Sequence, residues 1–213
     1  MRDVVIYGAG GLGREVLALL RAQGPGRWNF LGFIDDGKPP GTPISGLTVL
    51  GGLSWLTPRA PVAVVMGMAD PAAKAALYRE LSRNPKITFP TLVHPLAHVD
   101  PSARLAEGAV VSTYCSVSVN AALGLCSFFN VGAQIGHDSV LGDFGSVMPH
   151  VDISGGVTIG PRCLVGAGAK ILQGLEVGPD ATVGIGSVVL NSVPGGCTVM
   201  GYPARVVERR KSA

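Results

Sequence analysis

Ile135-Gly136-His137-Asp138 places an imidazole beside a carboxylate, a pairing able to take up and release a proton near neutral pH. Near the start of the chain, Gly8-Ala9-Gly10-Gly11-Leu12-Gly13 has the G-x-G-x-x-G spacing, which lets backbone N–H groups and a helix N-terminus approach a phosphate. Asp35-Asp36 follows, where a carboxylate can accept hydrogen bonds from a ribose or a base. These groups lie far apart in the chain, and each needs an element to hold it.

His137 belongs to a repeat. Every sixth residue from Val99 to Val189 is large and apolar, through Phe129, Ile135, Leu141 and Val147, giving sixteen uninterrupted hexads. Four positions after most of them sits a small side chain, such as Ala109, Cys115, Ala133, Ser139 or Ala169. Glycine often follows the apolar residue directly, as at Gly124, Gly136, Gly142, Gly160, Gly166, Gly178 and Gly184. A period of six fits a short strand plus a tight corner, three such units making one triangular coil of eighteen residues. Stacked at about 4.8 Å, a little over five coils make a prism roughly 25 Å tall. The large residue points inward and the small one fits beneath the corner, while the following glycine is expected to supply backbone freedom at the turn.

His137 takes the third position of its hexad, an outward corner where an imidazole gains nothing from core packing. Adding eighteen puts Gly155 directly above it. On another edge Pro149, Ala167 and Ile185 stack, and His150 also stands at a corner away from the His137 edge. No loop interrupts the hexads, so any site on the prism must be built from its corners. By itself the repeat leaves open a spacer or a surface prism without catalysis. Cys115, Cys126, Cys163 and Cys197 form no C-x-x-C pair, so neither a zinc site nor a disulfide framework is suggested. Those at repeat positions read as small core residues.

The glycine-rich motif sits in a smaller module. Residues 4–7 read as a buried strand, residues 14–22 as an amphipathic helix, residues 30–34 as a second strand, residues 62–65 as a third, and residues 71–83 as a second helix. The run of proline and glycine between Gly37 and Gly52 reads as loop. The module ends near Thr91, half the length of a dinucleotide fold, so a mononucleotide or nucleotide sugar fits it better than NAD. The glycines could instead serve only close packing of helix on strand. The expected architecture is thus an α/β half-Rossmann module, residues 1–91, followed by an all-β left-handed parallel β-helix, residues 92–213.

Of the 213 residues, 47% are hydrophobic and only 15% charged, so part of the surface is expected to be covered by copies of the chain itself. The net charge of +3 is spread out apart from Arg209-Arg210-Lys211, which argues against nucleic acid as a partner. Every apolar stretch is broken short of the roughly 18 residues a membrane helix needs. The opening residues read as a strand and not a signal peptide, and a cytoplasmic location is expected.

Tyr7-Gly8-Ala9-Gly10-Gly11-Leu12-Gly13-Arg14-Glu15-Val16, Phe33-Ile34-Asp35-Asp36, the hexads around Ile135-Gly136-His137-Asp138 and the closing Met200-Gly201-Tyr202-Pro203-Ala204-Arg205 together resemble one family. It is the bacterial sugar O-acyltransferases related to sialic-acid O-acetylation, which includes N-acetyltransferases of nucleotide-linked 4-amino-4,6-dideoxy sugars. The resemblance spans essentially the whole chain. It implies acetyl-CoA as co-substrate, a nucleotide-sugar acceptor, no metal, and a homotrimer with active sites between subunits. It implies that His137 is the general base, that Asp138 raises its basicity, and that the Gly155 N–H stabilises the oxyanion. It further implies CoA contacts at Ala167, Ile185 and the closing Arg205, and at position 146, where Ser146 replaces the family's second histidine. Nucleotide-sugar contacts are implied at Gly10, Gly11, Leu12, Asp35, Asp36 and Gly67. Three alternatives stay open: O-acylation of the sialic-acid type, a non-catalytic nucleotide-sugar scaffold, and a γ-type carbonic anhydrase, against which the scarcity and spacing of histidines on the prism argue.

Overall fold

The computed structural model describes residues 1–56 and 61–207. Arg209-Arg210-Lys211 lies outside the described residues. The chain divides into two compact units, Met1–Pro95 and Leu96–Ala213. Among the described residues no helix is long and apolar enough to cross a membrane.

In chain order the first unit contains β1 (Arg2–Tyr7), α1 (Gly11–Ala22), β2 (Trp28–Ile34), β3 (Pro43–Ile44), β4 (Leu47–Gly51), β5 (Val62–Met66), α2 (Pro71–Leu81) and β6 (Ile87–Thr88). The sheet order is β3-β4-β2-β1-β5-β6, parallel throughout except between β3 and β4. Val4, Val5 and Ile6 in β1 and all of β5 are buried, the continuous apolar run expected of parallel strands covered on both faces. Helix α1 turns Val16, Leu17, Leu19 and Leu20 inward. Helix α2 is capped by Asp70, whose side chain accepts from the Ala72 and Ala73 N–H groups.

The segment read as loop between Gly37 and Gly52 is instead a hairpin that extends the sheet. Ser45 and Gly46 both take positive φ, 51° and 81°, the two-residue turn whose twist matches paired strands. Strand β4 then pairs with β2 through Phe33↔Val49 and Ile34↔Gly51. The proline and glycine that suggested a loop are the punctuation of a short strand pair.

The second unit is a parallel β-helix. Its hexads fold as sixteen two-residue strands, from His98–Val99 to Val188–Val189, each ending on the predicted apolar residue. From Val111 onward every one of these residues is buried. Val99 and Leu105 are half-buried, since the first coil has none beneath it within this unit. Coils stack eighteen residues apart, as in Val117↔Ile135↔Ile153↔Ile171↔Val189. Beyond them Thr198–Gly201 runs parallel to Thr182–Val183 and turns back antiparallel as Ala204–Val207.

The glycines after the apolar residues do not supply the turn. Left-handed φ falls two residues later, at a position that Tyr114, Asn120, Asp138, Phe144, His150 and Arg162 occupy as readily as Gly168. There the N–H bonds to a carbonyl in the coil below, such as Asp138 N to Val119 O at 2.9 Å. The earlier glycines are required by close approach: a Cβ on Gly142 would stand 2.5 Å from the Pro161 nitrogen of the next coil.

Candidate active site

His137 and Asp138 share a corner, with His137 Nδ1 2.8 Å from Asp138 Oδ2. The other oxygen, Oδ1, accepts from the Asn120 side-chain amide at 3.0 Å. Hydrogen bonds from His137 first and Asn120 second hold the Asp138 carboxyl below its ordinary range, so it is a carboxylate at neutral pH. When Nδ1 donates to that carboxylate, Nε2 of the neutral ring keeps its lone pair. The His137 side chain is 68% exposed, open to a reacting group. Above it the absent side chain of Gly155 makes room for the ring, because a Cβ there would lie 2.4 Å from Nε2. Among the described residues the Gly155 N–H has no acceptor, while its carbonyl accepts from Gly174 at 3.0 Å.

A second edge carries Pro149, Ala167 and Ile185 in a column. Gly168 N and Gly186 N bond down to the Pro149 and Ala167 carbonyls, both at 2.8 Å. The N–H groups of Ala167 and Ile185 have no acceptor among the described residues, and Ile185 is strongly exposed. His150 stands at the foot of this edge with its ring over Gly132, where a Cβ would meet Nδ1 at 2.6 Å. Ser146 is not on the open edge: it lies in a strand between Phe128 and Leu164, fully buried, its Oγ without a hydrogen-bond partner among the described residues. Arg205 is exposed opposite Met200, its guanidinium donating to the Ala204 carbonyl at 2.9 Å.

In the first unit, β1 lies between β2 and β5, and the glycine motif follows it at this switch in strand order, where α/β sheets bind ligands. The motif divides by task. A Cβ on Gly13 would stand 1.9 Å from Gly8 O, and one on Gly67 would stand 2.6 Å from the Gly13 Cα. Those three glycines are packed against one another. Among the described residues a Cβ on Gly10 would meet nothing within 4 Å, and one on Gly11 only the Arg14 side chain at 3.9 Å. Helix α1 begins there with no side-chain cap and no acidic residue in its first turn, leaving N–H groups that favour an anion. Leu12 beside them is half-buried.

Asp35 and Asp36 hold the surrounding loops. Asp35 accepts from Ala9 N at 2.8 Å and from Gly37 N at 2.9 Å. Asp36 accepts from Leu53 N at 2.9 Å and from the Tyr7 hydroxyl. Burial first, and Asp36 second, push the Tyr7 hydroxyl well above its ordinary pKa, so it stays a donor.

The PglD N-terminal domain family matches residues 3–81. Along 96% of both chains the protein is 30% identical to GDP-perosamine N-acetyltransferase of Escherichia coli O157:H7. The chain belongs to the nucleotide-linked amino-sugar acetyltransferases of the hexapeptide-repeat superfamily. Among solved structures, PerB from Caulobacter crescentus in complex with CoA and GDP-perosamine superposes with a TM-score of 0.88 at 28% identity, covering 98% of each chain. The acetyltransferase domain of PglB from Neisseria gonorrhoeae FA1090, in complex with acetyl coenzyme A, gives 0.88 at 27% identity over 97% and 99%.

For this acetyltransferase, then, the register brings His137, Asp138 and Gly155 to one corner and Ala167 and Ile185 to another. Gly10, Gly11 and Leu12 line the open side of the glycine motif, whereas Gly67 closes its packed side. Asn120 was not singled out in the sequence, although it lies one coil before Asp138 and the eighteen-residue register points to it. Tyr7, the partner of Asp36, gave no such signal.

Proposed function

We propose that the protein transfers the acetyl group of acetyl-CoA to the amine of a UDP- or GDP-linked 4-amino-dideoxy sugar, directly and without an acyl-enzyme. The observation that carries this reading is the His137–Asp138 pair, with Nδ1 on the carboxylate and Nε2 beneath Gly155. The neutral sugar amine attacks the thioester carbonyl and Nε2 removes its proton. The resulting oxyanion meets the Gly155 N–H, which has no acceptor among the described residues. Collapse of the tetrahedral intermediate expels the CoA thiolate, which takes the proton back from His137. Asp138 orients the ring and stabilises the imidazolium between the two steps.

The first unit holds the nucleotide by its phosphates at Gly10, Gly11 and the start of α1, with Asp35 and Asp36 shaping the loops around it. Pantetheine extends along the Ala167 and Ile185 column, whose N–H groups have no acceptor among the described residues and can bond it. The working enzyme is a cytoplasmic homotrimer in which this column of one subunit flanks the His137 corner of another; the sparse charge and exposed Val119, Val140 and Ile185 support burial between copies.

General-base help is typically worth about 10² to 10⁴ in rate. His137→Ala should lower kcat at least about tenfold with the oligomer intact. Retained turnover would remove His137 from the mechanism. Nucleotide-linked amino sugars are offered with acetyl-CoA while free thiol is followed, which identifies the acceptor; thiol release with hydroxyl acceptors alone would assign O-acylation instead.

A further inference from the structure

Asp138 spends one carboxylate oxygen on His137, and Asn120 from the coil below holds the other. We infer that Asn120 is a positioning residue for acyl transfer, its amide fixing the Asp138 carboxylate so that the His137 ring keeps one orientation and one tautomer. The inference rests on His137 acting as the base.

Asn120 reaches upward from a fixed backbone. Its φ of 57° and that of Asp138, 59°, lie in the left-handed region, which Asn and Asp accept more readily than most residues. The Asn120 N–H donates to Ser102 Oγ at 2.9 Å, and Ser102 Oγ donates to Asp100 Oδ1 at 2.6 Å. Asp138 N is tied to Val119 O. Left alone, an exposed imidazole and an exposed carboxylate would hold one another weakly and share several rotamers. With Oδ1 claimed by the Asn120 amide, Oδ2 is the oxygen left facing Nδ1.

Another corner shows what a staple for stability looks like at the same offset. Arg162 takes both oxygens of Asp180, at 2.6 Å each, leaving the carboxylate saturated by a cation. At the His137 corner the partner is a neutral amide on one oxygen, so the negative charge of Asp138 remains available to the imidazole. Val119, Asn120, Gly155 and Gly156, stacked around the pair, carry no charge.

The test uses the full chain with Asn120→Gly, which keeps the left-handed backbone, and Asn120→Asp, which is nearly isosteric and sets a second carboxylate against Asp138. Asn120→Gly should lower kcat about tenfold while KM for acetyl-CoA stays within about twofold. The acid limb of its kcat/KM–pH profile should move to lower pH, because Asp138 turns away from the ring. Asn120→Asp should move that limb to higher pH, since two carboxylates favour the imidazolium. If His137→Ala is inactive while both Asn120 variants keep the parent kcat and acid limb, the inference is overturned and the base assignment stands. A fall in kcat that comes with a lower Tm and an unmoved limb reduces Asn120 to a staple and overturns it equally. If His137→Ala retains turnover, the base assignment fails and the inference falls with it.

Discussion

A Cβ on Gly155 would stand 2.4 Å from His137 Nε2, so the imidazole keeps its place only because the coil above presents bare backbone. The ring is well exposed, so a methyl group there would push it toward solvent without disturbing the prism core. Gly155→Ala is therefore expected to lower kcat about tenfold or more, with Tm nearly unchanged, since displacements near 1 Å can cost about a hundredfold in rate. A parent-like kcat would show that the observed ring position is not the working one.

The prism glycines should separate into two classes by Tm. Gly142→Ala drives a Cβ against the Pro161 nitrogen and should destabilise by about 1–3 kcal/mol, the usual range for overpacking. Gly168→Asn places a side chain in open space at a φ of 68°, where Asp138 and His150 show that side chains are accommodated. Its effect should stay within about 1 kcal/mol. Equal losses at both sites would contradict the division.

How far the fold was legible follows from what each residue type encodes. The inward row from Val99 to Val189 could be read because burial in a stacked coil selects size and apolarity at a fixed interval. The same register put Gly155 above His137. It does not reveal why a glycine is needed: sequence shows that Gly142 lacks a Cβ but not whether φ or a neighbouring backbone demands it, so the turn expected at these glycines falls two residues later. Pro43 and Gly46 read as loop because β3 and β4 are too short to show a period. For Ser146 the resemblance supplied a position; its burial between Phe128 and Leu164 depends on neighbours a coil away.

Thiol reactivity offers a check on the packed small positions. Burial pushes the Cys115 thiol up to about 11, and Cys163 is raised by the same cause. A raised pKa leaves the neutral thiol, which is unreactive, through pH 8 and beyond. With Cys126 also buried, Cys197 should be the thiol that reacts promptly with an aromatic disulfide in the native protein, and all four should react after denaturation. Rapid native reaction at Cys115 or Cys163 would show that the coils open far more readily than their packing implies.

The glycine motif of the first unit can be split by paired variants. Gly13→Ala puts a Cβ 1.9 Å from Gly8 O and must force helix and strand apart, so it should lower Tm whatever the ligand. Gly11→Ala meets only the end of the flexible Arg14 side chain and suits the first position of α1, so Tm should hold or rise slightly. If a phosphate approaches that backbone, the added methyl obstructs it: KM for the nucleotide sugar should rise several-fold while kcat and the KM for acetyl-CoA stay near parent values. An unchanged sugar KM in both Gly10→Ala and Gly11→Ala would leave the motif a packing device alone and move the nucleotide site elsewhere.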